Sequence, residues 1–126
     1  MSIQRSALIV DDDEDIRALI SAILAKAGYR TNDADRGGRA IAEAHQNRPD
    51  VYVLDVRMPG MNGLDVCRLL KADRRTKAPV LLLSANATPA DIEAGYEAGC
   101  DAYLAKPFKA SELLHRLNEL LGCMAA

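Results

Sequence analysis

The sequence predicts an open, doubly wound α/β fold built on a parallel sheet, and three observations carry that reading. Apolar runs of strand length alternate with stretches of helical period five times along 126 residues. The strongest runs, Ala7–Val10, Val51–Leu54 and Val80–Leu83, are continuous rather than alternating, as strands covered on both faces must be. Each of these runs leads directly into a polar residue, respectively Asp11, Asp55 and Ser84.

Ala7–Val10 is read as the first strand, and Ile16, Leu19, Ile20, Ile23 and Leu24 form the stripe of an amphipathic helix behind it. Gly28 ends that helix as a left-handed cap. A weak strand, Tyr29–Ala34, passes through Gly37-Gly38 to a short helix at Arg39–His45. Pro49-Asp50 opens the strand Val51–Leu54, which ends at Asp55. The turn-rich loop Met58–Gly63 then precedes a helix near Leu64–Lys71. The polar loop 72–78 reaches Pro79 and the strand Val80–Leu83. Thr88-Pro89-Ala90-Asp91 has the pattern of a helix start, with Thr88 as cap and Asp91 reaching back. A fifth strand, Ala102–Ala105, meets Lys106-Pro107. The last helix, about Ser111–Leu121, carries Leu113, Leu114, Leu117, Leu120 and Leu121 on one face.

Composition limits the function classes. The length suits one domain, taken as residues 1–126 with a core of about 7–121, and a 49% hydrophobic content supplies that core without disulfides. A net charge of -2 gives no electrostatic reason to expect direct nucleic-acid binding. Cys67, Cys100 and Cys123 lack metal-ligand spacing and read as buried or free thiols. The start, Met1–Arg5, runs into an apolar segment too short for a signal peptide or membrane span, so a soluble cytoplasmic protein is expected.

In open α/β folds the crevice beyond the carboxyl ends of the strands holds ligands. Asp11, Asp12, Asp55, Ser84 and Lys106 should converge there. Three close carboxylates repel one another unless a cation offsets them. Hard oxygen ligands in small number suit Mg²⁺. Lysine and hydroxyl could neutralise and hydrogen-bond a phosphoryl group, which is most of what phosphoryl transfer requires.

The run Leu8–Asp13, the block Pro49–Gly63 and the ending Ala102–Phe108 resemble, in order and separation, two-component response-regulator receiver domains of the chemotaxis-regulator type. The resemblance covers about Ala7 to Leu121. It implies a flavodoxin-like sheet of order 2-1-3-4-5. It makes Asp55 the phosphoacceptor, Asp12 a direct and Asp11 a water-mediated Mg²⁺ ligand, and the Arg57 carbonyl a main-chain ligand. It places Ser84 and Tyr103 at switch positions and Lys106 as the site lysine, often before a cis bond to proline. It further implies a histidine kinase or histidine phosphotransfer protein as donor, a downstream effector, and a dimer contact through the face of the fourth helix, fifth strand and fifth helix. The region 66–79 is similar to receivers attached to cyclic-dinucleotide synthases. Ser84 stands where threonine is commoner, and Lys109 stands where the last helix often has a capping residue.

Ordinary roles compete with these. Asp13, Glu14 and Asp15 read as a solvated helix start. Met58 and Met61 read as core and loop fillers. Arg74–Lys77 reads as a solvated loop, and His45 and His115 lie away from the acidic residues in sequence. Tyr103 alone reads as an ordinary half-buried sheet residue; its switch role, with the ring turning inward on phosphorylation, is what the resemblance implies. Arg57 and Asn86, two residues beyond Asp55 and Ser84, should flank the phosphoryl group. Two rivals remain: a Mg²⁺-dependent aspartyl phosphohydrolase and a degenerate receiver acting only as a binding module. Arg57 cannot be the general acid the first needs. The intact set of Asp11, Asp12, Asp55, Ser84 and Lys106 opposes the second.

Overall fold

The computed structural model describes residues 4–125, with side chains through residue 122. Readings that fall on Met1–Ile3 and on the Cys123 side chain lie outside the described residues. The chain alternates β1 (Ser6–Val10), α1 (Glu14–Lys26), β2 (Arg30–Ala34), α2 (Gly37–Asn47), β3 (Val51–Asp55), α3 (Gly63–Ala72), β4 (Val80–Ser84), α4 (Pro89–Glu97), β5 (Ala102–Ala105) and α5 (Ala110–Ala125). The strands pair in parallel in the order β2-β1-β3-β4-β5, as expected.

Strand residues alternate between two cores, which explains why the central runs are apolar at every position. Leu8, Val10, Tyr52, Leu54, Val80 and Leu82 pack on one face with Ala40 and Ala44 of α2 and Val66, Cys67 and Leu70 of α3. Ala7, Ile9, Val51, Val53, Leu81 and Leu83 pack on the other with Ile20 and Leu24 of α1 and Leu113, Leu117 and Leu121 of α5. The edge strand β2 buries only Ala34, so its apolar signal is weak.

The capping residues act as their types require. Asp13 accepts from the Asp15 and Ile16 N–H groups, Asn62 from Asp65, and Thr88 and Asp91 form a reciprocal capping box. Gly28 has φ +99° just past α1. At the start of α5 the Glu112 carboxylate accepts from the Lys109 N–H at 2.9 Å.

Two local readings need correction. α2 begins at Gly37 rather than near Arg39. Gly37 is a close contact: a Cβ there would lie 2.9 Å from Met61 Cβ and Val66 Cγ2. The loop 72–78 is not solvated throughout, because Thr76 is buried. Its hydroxyl donates to the Leu70 carbonyl at 2.9 Å, and its own carbonyl accepts from the buried Tyr52 hydroxyl at 2.6 Å. Burial pushes the Tyr52 phenol up to about 12. Met58 and Met61 do fill the core edge. Cys67 and Cys100 are buried free thiols, pushed up to about 11 and about 12 by burial, which makes them poor nucleophiles.

Candidate functional site

Parallel register gathers the polar residues. Asp55 ends β3 opposite Leu83, Ser84 follows on β4 opposite Ala105, and Lys106 is the next residue beyond β5. The Val56 N–H donates to Leu83 and the Lys106 N–H to Ser84, which fixes the three strand ends. Asp11 and Asp12 follow β1, the other neighbour of β3. Carboxylate oxygens of Asp11, Asp12 and Asp55 lie within 4.8 Å of one another.

Lys106 Nζ donates to Asp55 Oδ1 at 3.0 Å and to Asp11 Oδ2 at 3.2 Å. Burial pushes the Asp55 carboxyl above its ordinary range; the Lys106 hydrogen bond opposes this, and the charges of Asp11 and Asp12 reinforce it. Burial alone would lower the Lys106 ammonium, but Asp55 and Asp11 overrule it and hold it above its usual value. One ammonium among three carboxylates leaves an excess of negative charge in a partly buried crevice. A small divalent cation with oxygen preference fits that donor set.

Ser84 is buried, and its Oγ accepts the Asn86 N–H at 3.0 Å while its own proton remains to be donated. With its amide oxygen facing Arg57, Asn86 accepts from Nη2 at 2.7 Å and Nε at 3.1 Å. The Lys106-Pro107 bond is cis.

Residues 7–118 match the family model described as the response regulator receiver domain. The chain belongs to the response-regulator receiver family.

The receiver is 37% identical over 120 residues to the DNA-binding response regulator MtrA of Mycolicibacterium smegmatis, covering 95% of this chain and 52% of that protein. It therefore spans about half the length of the curated relatives it matches. Among solved structures it is similar to the chemotaxis protein CheY4 of Vibrio cholerae, with TM-score 0.90, 33% identity, and coverage of 94% of this chain and 100% of that one. It is also similar to the receiver domain of the sensor histidine kinase PA1611 of Pseudomonas aeruginosa, with TM-score 0.87, 33% identity, and coverage of 95% and 99%. That structure is described with a magnesium ion coordinated in its active-site cleft.

Most of the expected residues meet at the receiver crevice, but Tyr103 differs from expectation. Its ring is already turned inward, 7% exposed, with the hydroxyl donating to the Asn86 carbonyl at 2.7 Å. His45 and His115 stand apart from the acidic cluster, beside Asp73 and Glu119 respectively. Sequence reasoning missed Gly63 in its contact role. A Cβ there would collide with the Asp55 carbonyl oxygen and lie 2.8 Å from Val56 Cα, so only glycine lets α3 start against the end of β3. It also missed Arg17, which reaches back from α1 to the Asp11 carbonyl. Among the described residues, no helix is long and apolar enough to cross a membrane.

Proposed function

We propose that this receiver takes a phosphoryl group from a phosphohistidine onto Asp55 and changes its partner contacts as a result. The observation that carries the reading is the crowding of Asp11, Asp12 and Asp55 within 4.8 Å, with Lys106 3.0 Å from Asp55. An Asp55 carboxylate oxygen forms a bond to phosphorus as the phosphorus–nitrogen bond of the donor breaks and the imidazole leaves. Lys106 holds Asp55 in place beforehand and then neutralises phosphoryl oxygens, and Ser84 donates its hydroxyl proton to one of them. Mg²⁺, held by the carboxylates of Asp12 and Asp55 and the Arg57 carbonyl, with Asp11 acting through water, would offset the negative charge that accumulates during transfer.

The reading extends to partners of stated kinds. The donor is a histidine kinase or histidine phosphotransfer protein, and the output passes to a downstream effector. The response element comprises Ser84 and Tyr103. The surface of α4, β5 and α5 is the face for a partner or dimer, and Tyr96 on α4 is 48% exposed there. The unit is the receiver of residues 7–121, working in the cytoplasm. It catalyses its own phosphorylation and hydrolysis without turning over an external substrate.

The test is to incubate the chain with a small-molecule phosphodonor and Mg²⁺ and record the intact mass. One added phosphoryl group is expected, lost in Asp55→Asn and in EDTA. Full labelling of Asp55→Asn would assign the chemistry to another residue.

A further inference from the structure

We propose that Arg17, anchored by Asp33, is a positioning residue that sets the cation affinity of the Asp11-Asp12 turn. This rests on the metal reading of the acidic crevice given above.

Each oxygen of the Asp11 carboxylate accepts one hydrogen bond: Oδ1 from the Asp13 N–H at 2.9 Å, and Oδ2 from Lys106 at 3.2 Å. Its N–H donates to the Ala34 carbonyl at 3.2 Å, as the last bond of the β1–β2 ladder. Its carbonyl lies beyond the end of β1 and accepts from Arg17 Nη1 at 2.9 Å. That guanidinium is itself held, because Nε donates to Asp33 Oδ2 at 3.0 Å. One planar fork therefore joins the first turns of α1, the end of β1 and the edge strand β2.

The consequence falls on Asp12. The Asp11 carbonyl and the Asp12 N–H share one rigid peptide plane, so holding the carbonyl holds the Asp12 Cα and the N–Cα bond from which its side chain is carried. Asp12 is exposed, unlike its buried companions Asp11 and Asp55, so packing does not orient it. Its direction depends on the backbone. The Arg17 side chain is 17% exposed and that of Asp33 54% exposed, so the fork is shielded while its anchor faces solvent.

Charge and geometry predict opposite signs. A guanidinium near a cation site repels the cation, so removing it for electrostatic reasons alone would tighten binding. If Arg17 acts by holding the turn, removing it weakens binding although a positive charge has gone. Asp33 offsets the guanidinium charge, so losing Asp33 should weaken binding on both grounds.

The experiment is calorimetric titration of the whole chain with Mg²⁺ for wild type, Arg17→Met, Arg17→Lys, Asp33→Asn and the Arg17→Met/Asp33→Asn pair. Urea unfolding in EDTA verifies that each is folded at the titration temperature. Arg17→Met keeps the apolar stem, and Asp33→Asn alters an exposed side chain, so at least one fold is secure. Outer partners of metal ligands typically set affinity by tenfold or more, and about tenfold weakening is expected for Arg17→Met. Arg17→Lys should also weaken binding, since one ammonium cannot serve both acceptors along a planar fork. The double variant should be less than additive. An unchanged or tighter Kd in Arg17→Met overturns the positioning role, whatever Asp33→Asn does. A wild-type chain that takes up no Mg²⁺ overturns the metal reading itself, which separates the two failures.

Discussion

The ring of Tyr103 fills the notch that Gly95 leaves on α4: a Cβ at Gly95 would stand 2.8 Å from Tyr103 Cδ2 and 2.9 Å from Cε2. Glycine in mid-helix costs about 1 kcal/mol relative to alanine, so its presence here favours room for the ring over helix propensity. The inward rotamer and the hydrogen bond from Tyr103 to the Asn86 carbonyl follow from that room.

Gly95→Ala is therefore expected to displace the Tyr103 ring toward solvent. Overpacking costs about 1–3 kcal/mol, and the gain in helix propensity returns about 1, so net stability should fall by at most about 2 kcal/mol. Ring position, read by NMR of Tyr103 with and without beryllofluoride, is the sharper measurement. A ring that stays inward in the variant would show that α4 itself yields instead.

Arg57 and Asn86 should control the lifetime of the phosphoaspartate. With the Asn86 amide oxygen facing Arg57, their side chains bond to each other at 2.7 and 3.1 Å, Arg57 two residues beyond Asp55 at the end of β3 and Asn86 two residues beyond Ser84 at the end of β4. Replacing either residue by alanine is expected to change phosphate release while leaving Mg²⁺ affinity nearly intact. Decay equal to wild type in both variants would make the pair a rim contact without kinetic effect.

Asp55→Asn should stabilise the cation-free protein at neutral pH. The Asp55 carboxyl is raised above its unfolded value, first by burial and then by Asp11 and Asp12. A raised acid favours folding when protonated, so stability from this site is present below the unfolded pKa and is lost as pH rises through the folded value. The advantage of asparagine over aspartate should thus be small near pH 3, grow with pH and then level off. Urea midpoints in EDTA across pH 3–8 measure it, and a constant difference across that range would contradict the assignment.

Tyr52→Phe tests the buried staple between β3 and the loop after α3. Removing a hydroxyl that donates at 2.6 Å leaves the Thr76 carbonyl short of a buried donor, with a cost of about 1–3 kcal/mol. Labelling at Asp55 should persist, since Tyr52 lies at the opposite end of the strand from the crevice. A urea midpoint equal to wild type would show that water replaces the hydroxyl.

The sequence by itself determined the five β-α units, the doubly wound sheet and the residue types at the strand ends, because each is written locally. A strand buried on both faces must be apolar throughout, as Val51–Leu54 and Val80–Leu83 are, and a capping box needs only neighbours, as Thr88 and Asp91 show. Tertiary structure decided what depends on the apposition of distant segments. Gly37 reads as part of the approach to a helix until Met61 and Val66 are seen packed against it, and Gly63 reads as a turn until the Asp55 carbonyl is found in the space of its missing side chain. Thr76 sits in a basic loop, yet Tyr52 and Leu70 draw it into the core. The same holds for Arg17 and Asp33, 16 residues apart, whose meeting at the Asp11 carbonyl requires β1 and β2 to lie side by side in register. A long side chain selects its partners only after the backbone has brought them within reach, and the local pattern carries no record of that choice.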